Sequence, residues 1–152
     1  MEAVRFTLSG RTAFFKKPEV NAYYYFTYSQ IHKIALMGMF GAILGYGGYA
    51  QKNWQIMKKG QEIAVEYPEC YEKLHELKIS IVPKNEREYI PKKVQIFNNS
   101  VGYASEEQGG NLIIKEQWLE NPEWDIYVLI DCDEAEKLAG FLEQSRCIYY
   151  PY

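Results

Sequence analysis

Cysteine is scarce: Cys70, Cys132 and Cys147 are odd in number, far apart and without C-x-x-C spacing. Neither a disulfide framework nor a zinc site follows from that spacing, and a reducing cytosol fits it best. Long hydrophobic runs are missing as well. The longest, Ile34 to Leu44, is broken by two glycines and falls short of the roughly 20 residues that span a bilayer. The opening residues, Met1 to Phe6, show no basic region followed by an apolar stretch, so no signal peptide is expected. Histidine is limited to His32 and His75, and Gly45-Tyr46-Gly47-Gly48 lacks the G-K-[ST] ending of a phosphate loop. The acids form no metal-ligand spacing. No cofactor is implied.

What remains is an ordinary globular composition, 47% hydrophobic and 24% charged in 152 residues, the size of one domain. Its net charge of −3 would argue against a polyanionic partner if it were evenly spread. It is not. Residues 1 to 60 hold eight basic and two acidic side chains, a balance of +6, while the other 92 residues hold nine basic and eighteen acidic, a balance of −9. Chance fluctuation gives such blocks too. The functional reading is one polyanion-facing side and one solvated or protein-facing side.

Along the chain, Val4, Phe6 and Leu8 alternate with Arg5, Thr7 and Ser9, the period of a half-buried strand. After Gly10, the stretch Lys16 to Asn21 reads as a basic turn-rich loop before the extended aromatic segment Ala22 to Tyr28. Ser29 is the expected cap of a largely buried helix through Ile31, Ile34, Ala35, Gly38, Ala42 and Gly45. Its small residues form a stripe suited to close packing on the sheet or to an approaching RNA backbone.

A second short helix over Pro68 to Leu77 shows Cys70, Leu74 and Leu77 on one face. Strands follow at Ile79 to Ile81, Val94 to Phe97, Leu112 to Trp118 and Trp124 to Ile130. Asp133 with Glu136 resembles a capping box, for a helix whose face is Ala135, Leu138, Ala139 and Leu142. Cys147 to Tyr150 makes a terminal strand. The core order is β-α-β-β-α-β, with hairpin insertions after the first strand and between the second and third: an α+β, ferredoxin-like or RRM-like single domain over residues 1–152.

Two stretches carry more than architecture. The first is Gly10-Arg11-Thr12-Ala13-Phe14-Phe15-Lys16-Lys17-Pro18-Glu19-Val20-Asn21 with Thr27-Tyr28-Ser29 and Met37 to Gly45; the second is Asn98-Asn99-Ser100-Val101-Gly102-Tyr103-Ala104-Ser105 through Lys115-Glu116-Gln117-Trp118-Leu119, Asn121-Pro122 and Trp124 to Tyr127. Together they resemble the Cas-five family of the RAMP superfamily in its subtype I-B form. The resemblance implies a subunit of a type I CRISPR interference (Cascade) complex that caps the five-prime, repeat-derived handle of the CRISPR RNA. It implies a thumb-like hairpin, here the Phe97 to Leu112 excursion, that hooks a kinked nucleotide and meets the first backbone subunit. The large subunit and target DNA near the protospacer-adjacent end are further implied partners, in the cytoplasm and without a membrane. Members of the family continue into a C-terminal segment where this sequence stops at Tyr152, so a compact, split or incomplete form is expected.

Holding such a handle takes cations for phosphates, amides for base edges and aromatic faces for splayed bases. Arg11, Lys16, Lys17, Asn21, Tyr28, Lys33, Asn98, Asn99, Ser100, Tyr103 and Lys115 are the candidates. A solvated loop is the plain alternative for the Lys16-Lys17 pair. Some relatives in another subtype cleave precursor RNA without metal, which calls for a general base and a cation. His32 beside Tyr28 and Lys33 is the one cluster of that kind. Nearness in sequence sets no attack geometry, and the expectation is a protein that catalyses nothing.

Overall fold

The alternation at the N-terminus folds as strand β1 (Glu2–Ser9) in the computed structural model, which describes residues 2–19, 24–50, 67–85, 89–98 and 113–144. The other strands are β2 (Thr12–Ala13), β3 (Tyr24–Tyr25), β4 (Ile79–Pro83), β5 (Lys92–Asn98), β6 (Ile113–Glu120) and β7 (Glu123–Ile130). Helices α1 (Lys33–Leu44), α2 (Glu69–Leu74) and α3 (Asp133–Gln144) complete the described elements. The class is α+β. One sheet has the order β1-β7-β4, which places the third core strand between the first and second as a ferredoxin-like core requires. Lys84 N–H donates to Glu123 O and Leu129 N–H to Lys78 O, so β4 and β7 run antiparallel. The terminal strand expected at Cys147 to Tyr150 lies outside the described residues.

Two compact units divide the chain: Met1–Phe6, His32–Ile81 and Ile126–Tyr152 in the first, Thr7–Ile31 and Val82–Asp125 in the second. Leu36, Met37, Phe40, Leu74, Leu77, Ile126, Val128, Ala135 and Leu138 form the core of the first. Phe6 meets Phe40 edge-on at 6.0 Å between ring centroids, which ties β1 to α1. No described helix is long and apolar enough to cross a membrane.

The helix ends follow local chemistry, with three departures from the sequence reading. Helix α1 is capped by His32, not Ser29: the His32 Nδ1 accepts the Ala35 N–H at 3.2 Å, while the Ser29 hydroxyl accepts from the Lys92 ammonium at 2.9 Å. A ring nitrogen with a lone pair serves the cap as a side-chain oxygen does. At the other end Gly45 takes φ +78°, Gly45 N–H reaches Ala42 O and Tyr46 N–H reaches Gly41 O, a Schellman arrangement.

The second departure is the small-residue stripe, whose close approach is to α2. A Cβ on Gly41 would lie 2.5 Å from Cys70 Cβ, whereas one on Gly38 would meet no described residue within 4 Å. Third, Asp133 is the first helical residue of α3, and the Cys132 carbonyl accepts from the Ala135 and Glu136 amides. Asp133, Glu134 and Glu136 still place negative charge at the positive end of the helix dipole.

Candidate nucleic-acid interface

In the second unit β6 is the organising strand. Along one edge it pairs antiparallel with all of β5, from Lys92↔Leu119 to Asn98↔Ile113. Along the other it meets β2 antiparallel (Thr12↔Glu120, Ala13↔Leu119) and β3 parallel (Tyr24↔Lys115, Tyr25↔Glu116). Phe15 to Lys17 and Phe26 to Tyr28 form a further antiparallel rung, with Lys17 N–H to Phe26 O and Tyr28 N–H to Phe15 O, both 2.9 Å. Thr27 is fully buried at its centre. Its hydroxyl accepts the Phe15 amide and donates to the Tyr28 carbonyl, so the rung is pinned from inside.

That rung sets out the basic loop. The Lys16 ammonium lies 4.0 Å from the centroid of Tyr25, and the Lys17 ammonium 5.9 Å from that of Tyr28. Lys17 is also 4.0 Å from a Glu19 carboxylate oxygen at the surface. A cation over an aromatic face is held without losing its charge, which leaves it able to meet a phosphate. Arg11 is exposed in the turn after β1, and its carbonyl accepts from the Asn121 amide. Asn121 and Pro122 form the tight link between β6 and β7, where Asn121 adopts φ +46°. Asn is one of the few side chains that tolerates that region.

Because side chains alternate along a strand, the register sorts this sheet into two faces. One carries Glu116, Trp118 and Glu120 of β6 opposite Lys93 and Gln95 of β5. There Trp118 stacks on Phe14 at 6.5 Å, its indole N–H donates to Glu116, and Lys93 lies 3.8 Å from Glu120. The other face carries Ile113, Lys115 and Gln117 opposite Val94, Ile96 and Asn98, with Tyr24 in register beside Lys115. Tyr24 contacts Phe26 at 4.7 Å, and Val94, Ile96 and Ile113 are 50%, 62% and 51% exposed.

Arg11, Lys16, Lys17, Tyr28, Asn98 and Lys115 thus share the second unit. Lys33 belongs to the first, where its ammonium donates to the His75 carbonyl at the end of α2. Asn21, Asn99, Ser100 and Tyr103 lie outside the described residues, as does most of the Phe97 to Leu112 excursion. The sequence reading missed Tyr24, Tyr25 and Phe26, although the aromatic run that contains them was visible. It also missed Lys92, hidden in a Lys-Lys pair whose two members turn to opposite faces.

Groups with shifted titration sit elsewhere. The Glu134 carboxyl is held below its ordinary range by the Tyr46 hydroxyl and by Lys137, and Tyr46 is pushed up by the same bond. Lys78 is raised by its ion pair with Asp131, and burial pushes the Cys70 thiol up. All belong to the first unit. Of the cluster considered for cleavage, His32 commits Nδ1 to the helix cap and Lys33 is bonded to a carbonyl. Among the described residues no three His, Cys, Asp or Glu side chains group as metal ligands would.

The described elements therefore form an α+β fold with a ferredoxin-like strand order. No protein-family model matches the sequence, and no curated protein matches it. Among solved structures it is similar to a chain described as "CRISPR RNA-guided surveillance complex", with a TM-score of 0.64 and 14% identity. The likeness covers 99% of this chain and 56% of that one, so this chain spans little more than half the length of its structural neighbour.

Proposed function

We propose that the chain is a non-catalytic, RNA-binding subunit of a type I CRISPR interference complex, of the Cas-five kind, acting in the cytoplasm. It holds the five-prime handle of the CRISPR RNA and contacts the first backbone subunit and the large subunit. The observation that carries this reading is the fold likeness over 99% of the chain to a chain from an RNA-guided complex. The aromatic-backed lysines of the Phe15 to Tyr28 rung support it, because they supply phosphate and base contacts on one pinned element.

The test is charge reversal at Arg11, Lys16 and Lys17 together, read as binding of labelled handle RNA across a salt series. Affinity is expected to fall, and the slope of log K against log salt to shrink by about 0.7 for each phosphate that is no longer neutralised. Unchanged affinity and complex assembly would remove these residues from the interface. Incubation with repeat RNA in chelator checks the other half of the proposal. No product is expected, and a discrete cleavage product would make the chain an endoribonuclease.

A further inference from the structure

The second unit also holds a cavity. It measures about 400 Å³ and is lined by Ser29, Gln30, Tyr89, Ile90, Pro91 and Lys92. That volume falls within the range of small-ligand sites. Its polar groups are fixed from behind. The indole N–H of the buried Trp124 donates to Gln30 Oε1 at 3.1 Å, and since an indole can only donate, this sets the amide's orientation. The Gln30 Nε2–H₂ is left as the end that offers hydrogen bonds to a ligand.

The Lys92 ammonium is steadied at the rim by the Ser29 hydroxyl. Ile90 is buried, and the Pro91 carbonyl accepts the Glu120 amide, so the segment carrying Tyr89 is anchored to β6. Tyr89 lines the cavity and is 53% exposed. Among the described residues no carboxylate lines the cavity.

The same sheet face continues from Lys92 through Val94, Gln117, Ile96, Lys115 and Tyr24. The acids of β6, Glu116 and Glu120, alternate to the other side. An aromatic ring, a fixed amide donor, two lysines and exposed apolar side chains, with no acid on that face among the described residues, match one chemical class.

We infer that this cavity takes one unpaired nucleotide of single-stranded RNA, with the neighbouring nucleotides running along the Val94–Lys115–Tyr24 face. The base stacks on Tyr89, its acceptor atoms meet the Gln30 amide, and flanking phosphates meet Lys92 and Lys115. A base within a duplex has no free face to give, so the site selects unpaired RNA. This rests on the RNA-binding reading above and adds to it a second contact region with its own residues.

The test uses the full chain and two probes, a labelled single-stranded RNA of mixed sequence and its duplex. Wild type should prefer the single strand. Tyr89→Leu should weaken that binding roughly 5- to 150-fold, the value of one base stack, and Tyr89→Phe should retain it. Lys115→Glu should weaken binding and flatten its salt dependence, whereas Lys93→Glu, on the opposite face beside Glu120, should change neither. Photo-crosslinking of RNA containing 4-thiouridine should give an adduct on the Tyr89 peptide.

Wild type that binds single-stranded RNA while Tyr89→Leu binds equally well, with no adduct there, overturns the cavity assignment and leaves the broader reading standing. Wild type that binds no RNA overturns both. If Lys115→Glu kept RNA affinity but blocked assembly with the other subunits, the face would be a protein-docking surface and the inference would fall.

Discussion

Gly38 and Gly41 lie in one helix, three residues apart, and the same substitution in each should move stability in opposite directions. Alanine in a helix interior is favoured over glycine by up to about 1 kcal/mol, through reduced unfolded-state freedom and better propensity. At Gly38 no described residue lies within 4 Å of the new methyl, so Gly38→Ala should realise that gain. At Gly41 the methyl would stand 2.5 Å from Cys70 Cβ and 3.7 Å from Cys70 Cα. Those atoms belong to, or hang directly on, the α2 backbone and cannot swing aside. Helix α2 must retreat, and overpacking of this kind costs about 1–3 kcal/mol.

Both variants share the propensity term, so the difference between them isolates the overlap and should be about 1–3 kcal/mol. Urea unfolding followed by tryptophan fluorescence, with unchanged m values, measures it. A double-mutant cycle sharpens the assignment. Cys70→Ala keeps the offending Cβ and should not relieve Gly41→Ala, while Cys70→Gly should. Two variants agreeing within about 0.5 kcal/mol would refute the close-approach account of Gly41.

Thr27→Val keeps the shape of the buried side chain but strands the Phe15 amide and one acceptor bond. It should destabilise the protein by about 1–3 kcal/mol and weaken the RNA binding proposed for Lys16 and Lys17, with Thr27→Ser recovering most of the stability; thermal melts and binding titrations check this. The Tyr46–Glu134 bond predicts an acid-sensitive term. A carboxyl whose folded value is depressed stabilises above its unfolded value and loses that contribution as pH falls through the folded one, so this term should fade below about pH 4. Tyr46→Phe should cost about 1 kcal/mol at neutral pH and flatten that part of the pH–stability curve, and an unaltered curve would rule the bond out as a source of stability.

Much of the architecture was written locally. The period-two runs gave β1 and β7, the glycines after Leu44 marked the end of α1, and Cys70, Leu74 and Leu77 shared the buried side of their segment. What local reading missed was decided by distant partners. Ser29 has the better capping residue type, but its hydroxyl is taken up by Lys92, 63 positions away, and the cap falls to His32. Helix α1 shows several small residues, yet only the position of α2 reveals that Gly41 is the one pressed against a neighbour. The parallel pairing of β3 with β6, and a cavity built from residues near 30 and 90, carry no short-range signal at all.

Charge shows the same division between local and distant causes. Counted along the chain, the first 60 residues are basic and the remainder acidic, which assigns RNA to one part and protein neighbours to the other. The register redraws that boundary. Lys33, from the basic part, lies in the first unit and donates to the His75 carbonyl, whereas Lys92 and Lys115, from the acidic part, stand on the sheet face that carries no carboxylate among the described residues. Within β6 alone, Lys115 and Glu116 are adjacent in sequence and opposite in direction. A strand with period two can therefore be acidic on one side and cationic on the other while its net charge stays near zero. The electrostatic signal for a polyanion belongs to the face, and the segment sum hides it.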